Sequence, residues 1–177
     1  MRAWFMDTID ADQRELHMTD PPQFVALEDL KKLGLLYWKL DGDNYEPELN
    51  VIRADRGYNY EDEIEATPEK LPNYEEKLKS FFTEHLHSDE EIRYVVDGSG
   101  YFDVRNNDDR WIRIEVIRGD MLILPPGIYH RFTLDSKNFI RAKRFFIGEP
   151  VWQAHDRPSA DTMQVRGDDL NTIGVNA

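Results

Sequence analysis

The stretch Glu84-His85-Leu86-His87-Ser88-Asp89-Glu90-Glu91-Ile92-Arg93-Tyr94-Val95-Val96-Asp97-Gly98-Ser99-Gly100 decides how this chain is read. In an extended strand, residues two apart point to the same face. His85 and His87 therefore aim both rings to one side, with Leu86 to the other. Ser88-Asp89-Glu90 is expected to turn. Glu91 then opens a strand, Ile92–Val96, that the Asp97-Gly98-Ser99-Gly100 cluster is expected to close. Glu91 has the parity of the two histidines, and Arg93 shares its strand face.

Two imidazoles and a carboxylate suit a divalent first-row metal. A His-x-His pair alone also fits solvated surface histidines, so the rest of the chain matters. The sequence has five histidines. One of them, His130, follows the turn Leu124-Pro125-Pro126-Gly127 and begins another apolar stretch, where it can return to the same site. The candidate ligands are His85, His87, Glu91 and His130. His17 and His155 lie in polar stretches and read as solvated surface residues.

Working outward, the hydrophobic period from His85 onward is two. The expected strands are Ile92–Val96, Tyr101–Arg105, Trp111–Val116, Met121–Leu124, His130–Leu134 and Phe139–Ile147, separated by Gly-, Asn-, Asp- and Pro-rich turns. Short strands at this spacing predict an antiparallel sandwich or barrel. The first third is mixed. Trp4-Phe5-Met6 reads as an edge strand, Leu27, Leu30 and Leu33 as a helix stopped at Gly34, and Leu35–Leu40 as a buried strand. A charged helix is expected over Pro47–Arg56, and a short one capped by Asn59 running through Glu63, so that Glu61–Glu65 forms a wet helix face. Asn73 is the expected N-cap of a helix to about Thr83, whose Tyr74, Leu78, Phe81 and Phe82 share roughly one face. After Pro150 the polar tail, with Trp152 as its large anchor, is expected to wrap the surface or move. The expected organisation is one domain over 1–177: a mixed α/β part over 1–83, a metal-binding core over 84–150 and a tail over 151–177.

Composition narrows the function classes. The formal net charge is −13, which argues against nucleic acid or an anionic membrane surface as the main partner. With no cysteine, disulfides, thiolate zinc sites and iron–sulfur clusters are excluded, so a transition metal must be held by nitrogen and oxygen. No apolar run is long enough to span a bilayer. Met1–Asp7 lacks the apolar core of a signal peptide, so cytosolic residence is the expectation, with nuclear entry open to a chain of this size. No long apolar stripe or heptad demands a second copy, and a monomer is expected.

The two histidine segments resemble the paired motifs of the cupins. His85-Leu86-His87, three residues, Glu91, six residues and Gly98 match the first, with Lys79 in place of its leading Gly. Gly119, five residues, Pro125-Pro126-Gly127, two residues and His130 match the second, with Leu134 in place of its final Asn. The departures touch turns and packing, and every ligand position is kept. A closer resemblance is to the eukaryotic acireductone dioxygenases. It is carried by Leu35–Leu40, Leu71–Lys77, Glu84–Tyr94, Asp97–Val104, Pro126–Thr133 and Gly148–Trp152.

That resemblance implies a mainly β, cupin-like antiparallel barrel (jelly roll) with N-terminal helices. It implies an enzyme of methionine salvage that uses Fe(II) and O₂ to cleave 1,2-dihydroxy-3-keto-5-methylthiopentene to formate and 4-methylthio-2-oxobutanoate. With Ni(II), some members yield carbon monoxide, formate and 3-methylthiopropionate, and the ligand set accepts Co and Mn as well. Arg93 and Arg144 are implied to offer positive charge to the substrate. Phe81, Phe102 and Phe132 are candidates for an apolar wall around its methylthio tail. Each has a second reading, as a structural ion pair for the arginines and as plain core packing for the phenylalanines. Two further classes compete: a regulatory cupin that binds protein partners, as the family resemblance allows, and a different cupin isomerase or dioxygenase.

Overall fold

A computed structural model describes residues 1–174. The chain runs through β1 (Arg2–Phe5), α1 (Leu27–Lys32), β2 (Leu36–Lys39), α2 (Glu46–Arg56), β3 (Tyr60–Ala66), α3 (Tyr74–Phe82), β4 (His85–Leu86) and β5 (Glu91–Arg105). It continues through β6 (Trp111–Ile117), β7 (Asp120–Leu124), β8 (His130–Leu134), β9 (Ile140–Phe146), β10 (His155–Asp156), a 3₁₀ turn (Ser159–Thr162) and α4 (Gln164–Thr172). Among the described residues no helix is long and apolar enough to cross a membrane.

Strand β5 organises the two layers. Its first half, from Glu91, pairs with β7 and β9, which carry β2 and β3 at their outer edges. Its second half, from Ser99, pairs with β6 and β8, which lead on to β1 and to β4–β10. All pairings are antiparallel, in a jelly-roll-like arrangement with open edges rather than a closed ring of strands. Two separate strands, Ile92–Val96 and Tyr101–Arg105, are thus one continuous strand. The glycine cluster bends the strand without reversing it. The register shifts between Val95 and Asp97, and Gly98 takes a φ of +79°. A Cβ at Gly98 would collide with the Phe139 carbonyl oxygen, so only glycine lets β5 cross from one layer to the other here.

The expected helix from Asn59 is the second correction. Residues 60–66 form β3, in register with β9: Glu61 opposite Phe145, Asp62 opposite Arg144, Glu63 opposite Lys143 and Ala66 opposite Ile140. The acidic run sits beside the basic run Arg141-Ala142-Lys143-Arg144. Glu61 pairs with Lys143 at 2.9 Å, and Asp62 with Arg144 at 2.6 Å. Strand alternation places Asp62, Ile64 and Ala66 inward. The Asn59 side chain caps nothing in β3 and instead accepts the Gly148 N–H. Asn73 does precede α3, but with a left-handed backbone and no side-chain cap bond.

The main core fills the space between the layers with Val95, Val104, Ile114, Leu122 and Leu134. A second cluster lies on the outer face of the first layer, where Leu49 and Ile52 of α2 cover Ile92, Tyr94, Met121 and Phe145. Covering Ile92 and Tyr94 on the outside fixes Glu91, Arg93 and Val95 on the inside. The tail does wrap the surface, in regular structure: β10 adds to β4, and the 3₁₀ turn and α4 pack behind it. His17 departs from the expected solvated residue. Its side chain is 8% exposed, with Nδ1 2.8 Å from Asp7 and Nε2 2.8 Å from the Asp12 carbonyl.

Candidate metal centre

The ladder brings His85 directly opposite His130. With His87 these rings form a cluster whose ligand atoms all lie within 4.8 Å of one another. Each ring is tied at Nδ1 to a backbone carbonyl. His85 reaches Thr83 at 2.6 Å, His87 reaches Asp89 at 3.0 Å, and His130 reaches Ile128 at 3.0 Å. A carbonyl oxygen can only accept, so Nδ1 carries the proton and Nε2 keeps its lone pair. Three Nε2 lone pairs therefore converge. These carbonyl partners were not legible in the sequence, because any residue supplies a carbonyl and only the turns decide where it points.

Glu91 lies beside this cluster. Its Oε2 is 2.8 Å from His87 Nε2 and 3.7 Å from His130 Nε2, and its Oε1 accepts from Arg93 Nη2 at 2.7 Å. Burial favours a neutral Glu91, but the Arg93 charge and the facing His130 and His87 rings outweigh it, leaving the carboxyl well below its ordinary range. Burial, reinforced by the neighbouring His130, lowers His85 to about 4. Burial also opposes charge on His87, yet the hydrogen bond and charge of Glu91 raise it. The two rings thus differ by whether a carboxylate faces them. A lone pair and a carboxylate 2.8 Å apart repel unless a positive centre lies between them. A proton on His87 can serve, and so can a divalent cation shared with the other two rings. The donor set fits a first-row cation on this ground.

The cluster lines one side of a cavity of about 730 Å³. His85, His87, Glu91, His130, Arg93, Arg144, Phe81, Phe102 and Phe132 all border it. Phe132 links the aromatic wall, 6.2 Å from Phe81 and 4.9 Å from Phe102 between ring centroids. Arg93 faces Arg144 across the ladder. Burial lowers Arg93 against the pull of Glu91, but arginine starts so high that it stays charged at neutral pH. Arg144 is gripped by Asp62 through Nε at 2.7 Å and Nη2 at 2.6 Å, and lies 4.0 Å over the Trp152 ring. Arg144 is therefore ion-paired and also borders the cavity. Trp152, taken as a tail anchor, is 54% exposed and stands on the cavity rim. Its position in the Gly148–Trp152 block was the available signal. Asp62 was hidden by the helix expected there.

Comparison with known proteins places the chain in one family. A family model described as the ARD/ARD′ family matches residues 2–154. The chain is 62% identical over 177 residues to an acireductone dioxygenase of Branchiostoma floridae, spanning 100% of this chain and 99% of that one. It is 57% identical over 179 residues to the acireductone dioxygenase of Homo sapiens, with the same coverage of each. A solved acireductone dioxygenase from Bacillus anthracis, with a cadmium ion in its active centre, superposes with a TM-score of 0.67 at 25% identity, covering 78% of this chain and 95% of that one.

Proposed function

This chain belongs to the acireductone dioxygenase family, and from that premise we propose how its cavity performs the family's reaction: His85, His87, Glu91 and His130 hold Fe(II), and the products are formate and 4-methylthio-2-oxobutanoate. The enzyme is a metal-dependent dioxygenase of methionine salvage whose substrates are an acireductone and O₂. The observation that carries the ligand assignment is the common Nδ1 anchoring of three convergent imidazoles beside Glu91. When bound, a divalent cation supplies Lewis-acid charge and coordination positions for the two oxygens of an enediolate.

The residues then divide the work. Arg93 offsets Glu91 and Arg144 offsets Asp62. A divalent cation held beside them would favour the ionised enediolate over its neutral form. Arg93 fixes Glu91 through Nη2 and is itself fixed by Nη1 on the Ile92 carbonyl at 3.0 Å. Its guanidinium therefore sits where negative charge on the substrate is stabilised at no reorganisation cost. Phe81, Phe102 and Phe132 offer the methylthio tail an apolar wall that excludes water.

The test is anaerobic loading of the metal-free protein with Fe(II), then oxygen and product analysis by mass spectrometry. Formate and the 2-keto acid are expected. Nickel loading is expected to add carbon monoxide and 3-methylthiopropionate, and His130→Ala to lose metal and turnover together. Folded, Fe(II)-loaded protein that consumes no acireductone would overturn the reading.

A further inference from the structure

The family match ends at residue 154, yet the chain continues directly behind the histidine cluster. We propose that His155–Thr172 is a brace for the metal centre, in which Arg157 and Asp161 are positioning residues for His85 and His130, and Val165 and Arg166 back His87 through Gly127. The proposal rests on reading His85, His87 and His130 as ligands.

Each histidine has its own connection to this segment. Strand β4 is two residues long and meets β8 through a single pair, His85 with His130. Its other side is occupied by the tail, through His155 with Leu86 and Asp156 with His85. The residue before His85 is held too. The Arg157 N–H donates to the Glu84 carbonyl at 3.1 Å, and its guanidinium bridges the carboxylates of Glu84 at 3.2 Å and Asp109 at 2.9 Å. Arg105 closes the network on Glu84 at 2.7 Å.

His130 is held through Tyr129. That ring is buried, its hydroxyl donates to Asp161 at 2.5 Å, and Arg157 and Arg166 lie against it at 5.2 and 4.8 Å. His87 is held through Gly127, whose N–H donates to the His87 carbonyl at 3.1 Å. A Cβ on Gly127 would collide with the Val165 carbonyl of α4, and Arg166 donates to the Gly127 carbonyl at 3.3 Å.

Strand alternation explains why one segment reaches all three. Leu86 and Tyr129, the chain neighbours of the histidines, point away from the cavity. They pack with Ala160, Met163 and Val165 into a small core separate from the two larger ones. The rings enter one side of the sheet while their neighbours are gripped on the other. Groups of this kind set ligand orientation, and losing them costs metal affinity roughly 10- to 100-fold.

The test uses full-length protein loaded with Co(II), whose visible absorption reports ligand geometry. Wild type, Arg157→Gln, Arg157→Lys and the double variant Tyr129→Phe/Arg157→Gln are compared for Co(II) loss to a chelator, for the Co(II) spectrum and for thermal unfolding without metal. A brace predicts release about 10- to 100-fold faster in the double variant with an altered spectrum. It also predicts partial rescue by Arg157→Lys and a much smaller change in metal-free unfolding. Arg2→Gln, which breaks the exposed pair with Glu115, serves as the control with wild-type release. Release at the wild-type rate with an unchanged spectrum overturns the brace, and so does a loss of metal-free stability that accounts for all the faster release. If the double variant does not fold, Arg157→Gln decides by the same two readings, because that side chain is partly exposed. Wild type that binds no more Co(II) than His130→Ala overturns the ligand assignment itself, a result distinct from either.

Discussion

Strand β5 carries a carboxylate near each end that pairs with an arginine, and the two ends are finished differently. At its far end Asp103 and Arg113 are both 0% exposed and joined by two bonds of 2.8 Å. Arg131 adds a third at 2.9 Å, and the remaining Arg113 nitrogen donates to the Gln13 and Glu15 carbonyls. Nothing there is left to bind. At the near end Arg93 holds only one oxygen of Glu91, and the other oxygen faces the Nε2 atoms of His87 and His130, which in the neutral rings have no proton to give it. The same kind of ion pair thus makes a closed structural joint at one end of β5 and an open site at the other. The difference is how many hydrogen-bonding positions the surrounding chain fills.

The largest expected effect tests the closed end. Arg113→Met leaves buried Asp103 with Arg131 alone and should cost about 3–5 kcal/mol in denaturant unfolding, as when one partner of a buried pair is removed. Arg93→Met should cost clearly less, since Glu91 opens on a cavity. Equal losses would break the comparison. Next, Arg93→Ala should lower kcat/KM about 100-fold, with metal content near that of wild type, and Lys should restore only part because it lacks the planar fork. An Arg93→Ala protein that fails to fold, with no separable kinetic defect, would make both ends structural.

Acidity gives a smaller effect. Imidazole must be neutral to bind metal. His87 is raised above its ordinary 6.5, so metal retention should begin to fall with pH above that value, well before His85 takes a proton at about 4. Without metal the two rings oppose each other. Folding stability from His85 is full above pH 6.5 and lost as pH falls towards 4, because the unfolded chain binds its proton first. Stability from His87 is present below 6.5 and lost as pH rises through its raised value. Metal occupancy followed by titration should therefore drop as pH falls; occupancy flat to about pH 4 would contradict histidine ligation. The smallest effect belongs to the rim. Trp152→Ala removes a partly exposed ring under Arg144 and should raise KM a few-fold with little change in kcat, as suits a contact worth about 0.5–1 kcal/mol.

Much of the site was legible because its signals are local. Period-two alternation put His85 with His87 and Glu91 with Arg93, and the Pro-Pro-Gly turn announced His130. The less legible parts depend on partners far along the chain. Residues 61–65 have no backbone preference strong enough to choose helix or strand, and the basic strand β9 chose for them. The Asp97–Gly100 cluster reads as a turn by composition, but Gly98 with its positive φ serves a bend whose need arises only when β5 joins two layers.

The sequence by itself determined the ligand chemistry, since with no cysteine only nitrogen and oxygen can bind a transition metal, and strand alternation fixes which side chains share a face. It also determined the family. Only the tertiary structure decided that each Nδ1 meets a carbonyl, that Asp62 holds Arg144 and that the tail stands behind the histidines. Those depend on backbone atoms that every residue carries alike and on charges paired across distant strands. No local pattern encodes where such partners meet until the chain has packed.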